Sequence, residues 1–433
     1  MRKIALLSLI ILALYAFLPS VVNADGFAIR IVTESNYFAL HDETTQVAAI
    51  NYENGREKLL LAVKLGELVD GSVVWIVPIP AEPSKVDINI LEEFPEFSGV
   101  DILGEAKRLG QYHVDEAARA VASAQIFSLP LGPPNLARFV GGGEGVPGAT
   151  VHAEVEKEGI TTQVITAETA TALYEYLKGK NVTIPLESIP VLDEYIGRNY
   201  SFIASWVESI PTKDKERTPA IFVEFPTDRL YYPLKPTSIY GEREIPVALY
   251  VLGYAKPDVY AEIEGFTDYS YFRGTSVGPS KFYDGGVYSG DFTRIMIGSG
   301  EGWGPRLPTP PAQNFVKDLW MEKLDGMPME LRKALARTAI GEALDSPMGV
   351  VSWFFGLSLA SGALAGFIVF RKPLKFAFIG LANFFGLIGV PIATLVFARK
   401  EGNTLKFIGL FWVLFFAVNF LVVSPALKYL VSA

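Results

Sequence analysis

This 433-residue chain has three histidines and no cysteine, so it could offer a metal three imidazole ligands and no thiolate. His113 and Glu116 are three residues apart in a stretch with helical spacing, so they would share one helix face and could begin a metal site. A zinc site needs three or four ligands, and His41 and His152 are far away in sequence. His41 precedes two acidic residues and is interpreted as part of a polar turn. We therefore predict no metal-binding residues.

Ser276 lies at the centre of the sequence GTSVG, which has the spacing of a nucleophile elbow. That motif needs a strand before it, a helix after it and a histidine later in the chain. Pro279 follows at once and the last histidine is His152, so a glycine-rich loop is the better interpretation.

Gly143, Gly145 and Gly148 match the GxGxxG spacing of dinucleotide-binding turns. The fingerprint must join a strand to a helix, whereas Pro147 interrupts it and a strand-like run follows. We interpret this segment as a flexible loop and predict no cofactor.

Carboxylates and aromatic side chains offer weaker candidates. Glu92 and Glu93 could serve acid–base chemistry in a cleft, but nothing separates them from the other acidic residues. The aromatic residues between 230 and 305 could line a sugar- or peptide-binding groove, and core packing explains them equally well. No catalytic residue is predicted.

Asn181 and Asn199 begin the triplets NVT and NYS, which are N-glycosylation sequons if this part of the chain is exported. Such triplets also arise by chance.

The first 24 residues resemble a secretory signal peptide. Arg2 and Lys3 precede an apolar run from Ile4 to Phe17, and the small residues Val22 and Ala24 frame a cleavage site after Ala24. An uncleaved membrane anchor is the alternative, and both interpretations export residues 25–346.

The C-terminal segment, residues 347–433, contains three runs without any charged residue: 348–370, 376–398 and 407–427. Runs of this length span roughly 30 Å of hydrocarbon as helices. We predict three transmembrane helices, the second kinked at its glycines and Pro391. The two loops between them carry equal basic charge, so the charges alone leave the orientation undecided.

Ser358, Gly362 and Gly366 recur at four-residue spacing in the first of these helices. Small residues at this spacing allow another helix to approach closely. The facing helix could belong to the same chain or to a partner, and both alternatives stay open.

Residues 25–346 carry 29 basic and 46 acidic residues, a net charge near −17. Such a surface repels phosphate backbones, so nucleic acid is a poor partner. Without cysteine the exported domain has no disulfide, and it must be held together by its core.

Short β-rich runs alternate irregularly with helical stretches through this domain. Strands are predicted around residues 26–32, 46–52, 58–65 and 72–80, with a hairpin turn at Asn54-Gly55. Pro78 and Pro80 should end the fourth strand. Further along, we expect helices near 104–127, 167–179 and 327–344, additional strands between 150 and 254, and an irregular region over 265–312. The fold class is α+β: a β-rich extracytoplasmic domain followed by a three-helix transmembrane segment.

The run VVWIVPIPAEP resembles the strand signature of the domain of unknown function 2330 family. Three later blocks are similar to that family in the same order: EGITTQVITAETATALYEYLKGKNVTIP, LDEYIGRNYSFIASWVE and TPAIFVEFPTDRLYYPLKPTS. DFTRIMIG is similar to a last, weaker element of the family. The resemblance covers most of residues 27–320, and an N-terminal cysteine-containing stretch seen in some relatives is missing. It implies an exported, often membrane-anchored domain and brings no established activity or catalytic residue.

The sequence therefore predicts a multi-pass cell-membrane protein with its N-terminal domain outside. Its partners would be membrane lipid and a membrane or cell-surface protein, and its role would be binding or assembly. Two alternatives are a membrane-anchored, carboxylate-dependent hydrolase of envelope peptide or glycan, and an accessory subunit of a membrane complex.

Overall fold

The structure is a computed structural model that describes residues 27–30, 39–40, 46–62, 73–123, 155–157, 159–180, 188–207, 218–283, 286–299, 307–383 and 389–432. The predicted signal peptide lies outside the described residues.

The chain folds into two compact units. The first comprises Met1–Val100 and Gly143–Gly326, and the second comprises Asp101–Gly142 and Met327–Ala433. The second unit takes in two helices that lie before residue 346 in the chain.

The first unit contains the strands β1 (Phe27–Arg30), β2 (Ala39–Leu40), β3 (Gln46–Glu53), β4 (Arg56–Ala62), β5 (Val73–Ile79), β6 (Asp87–Leu91), β7 (Glu96–Asp101), β8 (Val155–Lys157), β9 (Ile160–Ile165), β10 (Ser201–Val207), β11 (Ala220–Pro226), β12 (Leu230–Tyr232), β13 (Val247–Leu252), β14 (Tyr254–Pro257), β15 (Thr267–Val277), β16 (Val287–Ile297) and β17 (Leu319–Leu324). They form a six-stranded sheet in the order β2-β1-β5-β10-β9-β8, an eight-stranded sheet in the order β6-β11-β4-β3-β13-β16-β15-β7, and a small sheet β12-β17-β14.

The helices are α1 (Ile102–Ser123), α2 (Ala170–Gly179), α3 (Ser188–Asp193), α4 (Ala261–Glu264), α5 (Met329–Asp345), α6 (Pro347–Phe370), α7 (Pro373–Gly380), α8 (Gly389–Phe397), α9 (Thr404–Val418) and α10 (Ser424–Ser432). A π-helical turn, Asn419–Val423, joins α9 to α10. Large sheets and helices in one chain confirm the α+β class.

The eight-stranded sheet is covered on both faces. Leu59 and Leu61 point into the main core, which also receives residues of the six-stranded sheet. Leu60 points to the opposite face, where it joins Phe222 and Phe282 in a second cluster. Successive strand residues face opposite sides, so two buried faces explain why these strands are continuously apolar.

The hairpin predicted at Asn54-Gly55 is present between β3 and β4. Asn54 has φ +52° and Gly55 has φ +75°. Two successive residues with positive φ are typical of the two-residue turns that match strand twist.

Pro78 does not end β5, contrary to the prediction. It stays in register with Phe202 of β10, and the pairing continues to Ile79. On the other side, the described pairing with β1 stops at Ile76. A proline lacks an N–H to donate and fits a strand position that has only one partner.

Residues 265–312 were expected to be irregular, and this prediction was wrong. β15 and β16 are eleven-residue strands that pair along their whole length. Glycine is rare in strands because it has no side chain to pack, but Gly274 is required where β15 lies against β7. A Cβ atom added there would be 1.9 Å from the Ser98 carbonyl oxygen.

In the second unit, α1 packs against α5 and α10. Thr338 donates a 2.8 Å hydrogen bond to the carbonyl of Ala106. A Cβ on Gly341 would lie 2.9 Å from the carbonyl of Gly110, so these two helices approach closely at their small residues.

Two described helices are long and apolar enough to cross a membrane: Pro347–Phe370 and the continuous segment Thr404–Ser432. The second predicted span, 376–398, is instead two short helices, α7 and α8, with 384–388 between them outside the described residues. Pro391 fits the first turn of α8, where its missing N–H has no intrahelical partner, but it would break one continuous helix. The expected segment of three long membrane helices is therefore found only in part.

Candidate functional site

A groove of about 880 Å³ opens in the first unit between two walls. One wall is the turn Pro83–Lys85 with the start of β6, and the other is the end of β9 with α2. The lining residues are Pro83, Ser84, Val86, Asp87, Ile88, Gln163, Val164, Ile165, Thr166, Ala167, Glu168, Ala172, Leu173 and Tyr176.

Both walls are lined by consecutive residues, 86–88 on one side and 163–168 on the other. Neighbouring side chains of an extended chain point to opposite faces. A cavity touched by every residue of such a run is therefore lined by main chain as well as side chains. Among the described strands, β6 is also the last of the eight-stranded sheet and pairs only with β11 within that sheet.

The polar groups of the groove are acidic or neutral. Asp87 is ion-paired with Arg56 at 3.2 Å, and Glu168 is an exposed carboxylate. The Tyr176 hydroxyl donates a 2.7 Å hydrogen bond to the Gln163 side-chain oxygen. None of the described residues whose atoms line the groove is basic, and Lys85 of the adjoining turn is paired with Glu82, so the lining favours cationic groups.

Two buried carboxylates lie elsewhere in this unit. Asp318, just before β17, accepts hydrogen bonds from the Tyr195 hydroxyl at 2.9 Å, the Lys235 backbone N–H at 3.0 Å and the Tyr231 hydroxyl at 3.1 Å. Burial raises the pKa of Asp318 to about 6, while these donors oppose the rise.

Glu57 on β4 is fully buried, and its Oε2 accepts a 2.7 Å hydrogen bond from the Tyr231 backbone N–H. Its Oε1 has no partner among the described residues. Burial raises the pKa of Glu57 well above its usual range, although the Tyr231 N–H opposes this shift.

Neither Asp318 nor Glu57 lines the groove or a second, shallower cavity of about 540 Å³ around Pro80, Asp228 and Trp320. A general acid must reach its substrate. We therefore interpret both carboxylates as structural groups that connect strands, and not as catalytic groups at these cavities.

Ser276 is placed where a nucleophile cannot act. It lies on β15, is 1% exposed, and its hydroxyl bonds the Glu96 carbonyl at 2.7 Å and the Tyr283 hydroxyl at 2.6 Å. A nucleophile elbow requires an exposed serine between a strand and a helix.

His113 and Glu116 are not brought together as a metal pair. His113 Nδ1 lies 3.0 Å from an Asp345 oxygen, whereas Glu116 is bonded by Arg119 at 2.6 Å. Within the described ranges, no cluster of three or more histidine, aspartate or glutamate side chains could hold a metal ion.

Glu92 and Glu93 are exposed after β6, and Glu92 pairs with Lys157 at 2.9 Å. Asn199 is exposed with φ +63°, but Ser201 of its sequon is fully buried in β10. His41, His152, Asn181, Trp303 and the motif of Gly143, Gly145 and Gly148 lie outside the described residues.

Ser358, Gly362 and Gly366 face α7 of the same chain. A Cβ on Gly362 would lie 2.4 Å from the Phe376 carbonyl, and one on Gly366 would lie 2.2 Å from the Phe376 Cβ. The Asn383 amide donates a 3.1 Å hydrogen bond to the Ser358 hydroxyl.

The aromatic residues considered for a binding groove serve mostly as core. Tyr231, Tyr232 and Phe282 are fully buried. The groove itself was missed, because its walls come from segments about 80 residues apart. The two acidic residues on β6 and before α2 gave no local signal that separates them from other surface carboxylates.

No family model and no curated protein matches this chain. Among solved structures, it is similar to baculovirus P35 at 10% identity, over 66% of this chain and 97% of that one, with a TM-score of 0.28. A likeness this weak carries no argument about fold or function, and the resemblance to the domain of unknown function 2330 family stays a prediction.

Proposed function

We propose that this chain is a membrane-anchored receptor whose β-sheet unit, outside the cell, binds an extended basic peptide segment in the groove between β6 and β9. The two long apolar helices hold it in the bilayer, and the signal-peptide-like N-terminus exports the β-sheet unit. The observation that supports the binding role is the groove, which has main chain on both walls and carboxylates but no basic side chain among the described residues that line it.

The chemistry of an extended peptide fits this lining. Its backbone N–H and C=O groups can pair with main-chain groups of a strand, and its alternate side chains can enter the space between the walls. Lysine or arginine side chains would be attracted to Glu168, whereas Asp87 is already ion-paired with Arg56. The volume of the groove lies within the range of small-ligand sites and suits a few residues of a peptide rather than a folded domain.

The two alternative functions are less well supported. A carboxylate-dependent hydrolase would place raised-pKa carboxylates in a cleft, whereas Asp318 and Glu57 are enclosed. The accessory-subunit hypothesis rests on three predicted membrane helices where one would anchor the chain, and the described residues contain two helices that are long and apolar enough to span a membrane. Ser358, Gly362 and Gly366 contact α7 of the same chain. A stoichiometric membrane protein that copurifies in mild detergent would favour that hypothesis again.

The test uses the full chain in mild detergent and a library of random peptides about 12 residues long, displayed on phage. We expect enrichment of sequences that alternate apolar and basic residues. A fluorescent peptide of the enriched sequence should then bind wild type and lose affinity at least about tenfold with Ala172→Trp, which fills the groove from the exposed face of α2.

Ala261→Trp is the matched control, since Ala261 is exposed on α4 and does not line the groove. It should bind as wild type does. Failure to enrich any peptide above a detergent-only surface, or equal binding by the Ala172→Trp variant, would overturn the proposal.

A further inference from the structure

The second unit brings two basic segments together. Lys372 and Lys375, which follow α6, donate hydrogen bonds of 2.7 and 2.8 Å to the two carboxylate oxygens of Glu401, which precedes α9. The carboxylate that follows the apolar run 376–398 therefore bonds the two lysines that precede it, so the two ends of the run lie side by side.

This ion pair decides how that run can lie in a bilayer. Segments on opposite sides of a membrane are about 30 Å apart, and no ion pair crosses that distance. The helices α7 and α8 have 8 and 9 residues. Each is roughly 12 to 14 Å long and too short to cross alone. The run must enter the membrane and return to the same side.

The two long helices then connect the same pair of membrane faces. α6 runs from α5 to Lys372. The segment from α9 to α10 runs from Glu401 back to α1, where Lys428 pairs with Asp115 at 2.6 Å. One face of the second unit is therefore built from α1 and α5, and the opposite face from residues 371–375 and 399–406, which we call the basic face.

The basic face carries six basic residues and one acidic residue, a net charge of +5. Glu401 pairs with two of the six. The remaining four, Arg371, Arg399, Lys400 and Lys406, make no ion pair with a carboxylate in the part of the chain that the structure describes. The two loops carry equal basic charge, which left the orientation undecided while they were placed on opposite sides of the membrane. On one side, their combined charge agrees with the enrichment of basic residues on the cytoplasmic side.

Bulky apolar side chains stand directly beside these charges. Leu374 is 76% exposed next to Lys375, and Leu405 is 83% exposed next to Lys406. Phe378 and Phe397, one turn deeper in α7 and at the end of α8, are 65% and 68% exposed. Adjacent leucine and lysine at a helix start place the leucine in the acyl region and the ammonium group at the level of lipid phosphates.

We propose that the basic face is a binding surface for anionic phospholipids, formed because the run 376–398 is re-entrant. The lipid phosphate lies among Arg399, Lys400 and Lys406, and its acyl chains pack on the exposed leucines and phenylalanines. A juxtamembrane cluster of this charge favours anionic over zwitterionic lipid.

Native mass spectrometry of the full chain in mild detergent tests the lipid. With equimolar dioleoyl phosphatidylglycerol and dioleoyl phosphatidylcholine, we expect wild type to retain the anionic phosphatidylglycerol preferentially. Replacing Arg399, Lys400 and Lys406 by glutamine should abolish the preference. The control variant replaces Arg332, Lys333 and Arg337 of α5 by glutamine and so removes the same charge from the other face. This variant should keep the wild-type preference for phosphatidylglycerol.

Unchanged preference in the triple variant of the basic face would overturn the proposal. A second result would also overturn it: displacement of phosphatidylglycerol by inorganic phosphate that replaces another salt at constant ionic strength. The surface would then select free phosphate rather than lipid.

The re-entrant path has its own test, which is independent of the groove. The chain has no cysteine, so single cysteines report without background. In sealed vesicles of one orientation, Leu374→Cys and Lys400→Cys should react with a membrane-impermeant maleimide from the same side, and Met329→Cys of α5 from the other. Labelling of the first two from opposite sides would show that the run crosses the bilayer and would overturn the inference.

Discussion

Tyr195 donates a 2.9 Å hydrogen bond from its hydroxyl to Oδ1 of Asp318, two residues that are 123 positions apart. The bond connects the segment after α3 to the start of β17. Tyr231 bonds the other oxygen of the same carboxylate, so one buried aspartate holds three parts of the first unit together.

The Asp318 carboxylate should make stability depend on pH. Its folded pKa is raised from 3.8 to about 6, so the folded state holds the proton more tightly than the unfolded state does. The stabilisation is fully present below pH 3.8 and is lost as pH rises to about 6, a change of roughly 3 kcal/mol in the free energy of unfolding.

Asp318→Asn removes this titration. Urea denaturation of the detergent-solubilised chain, followed by tryptophan fluorescence, should give a wild-type midpoint that falls relative to the variant between pH 4 and pH 6.5. Burial also raises the pKa of Glu57, and this affects wild type and variant alike. The quantity to compare is therefore the difference between their urea midpoints at each pH. A constant difference across this range would contradict the role assigned to Asp318.

Gly274→Ala should weaken the eight-stranded sheet. The added Cβ would lie 1.9 Å from the Ser98 carbonyl oxygen. The backbone of each strand fixes the position of its atom, so β15 and β7 must separate. Overpacking of this kind costs about 1 to 3 kcal/mol. Gly265→Ala, at φ −72° with nothing within 4 Å, is the control and should keep the wild-type urea midpoint. Equal midpoints for the two variants would contradict the close contact.

Gly362→Ala should displace α7 from α6 in the second unit. The new methyl group would lie 2.4 Å from the Phe376 carbonyl oxygen, whereas Gly356 of the same helix has nothing within 4 Å. We expect the melting temperature of the solubilised chain to fall by several degrees for Gly362→Ala, since about 1 kcal/mol shifts it by a few degrees in a domain of this size. Gly356→Ala should melt as wild type does.

The same pair of variants addresses the alternative in which these small residues contact a partner. If Gly362→Ala left thermal stability unchanged but altered the oligomeric state on size-exclusion chromatography, the intrachain contact would be the wrong explanation.

Glu168→Gln should weaken binding of a basic peptide by up to about fivefold, because an exposed charge interaction contributes up to about 1 kcal/mol. The affinity of wild type should fall as sodium chloride is raised, and the variant should show a shallower dependence. Glu264→Gln, on α4 outside the groove, is the control. A variant with wild-type affinity and wild-type salt dependence would remove Glu168 from the site.

Local patterns determined much of this protein. The hairpin at Asn54-Gly55 follows from two residues that tolerate positive φ, and the apolar strands β4, β5 and β11 follow from buried β-branched and leucine runs. The long apolar helices at 347–370 and 404–432 follow from hydropathy, which a single segment carries in full.

The sequence was a poor guide wherever the outcome depended on a distant neighbour. β15 and β16 contain glycine, serine and tyrosine, whose intrinsic strand preference is mixed. The pairing of the two strands with each other, of β16 with β13 and of β15 with β7 overrides that preference. Pro78 remained in a strand because Phe202 of the distant strand β10 pairs with it.

What the sequence by itself determined is therefore the identity of its apolar segments, its acidic first unit and the type of many of its strands and helices. Only the tertiary structure decided that Glu401 meets Lys372 and Lys375, that β6 and β9 enclose a groove, and that Asp318 is buried among tyrosines. The physical reason is that hydropathy and backbone preference are properties of neighbouring residues. Ion pairs, cavities and burial of a charge depend on which distant segments the fold brings into contact.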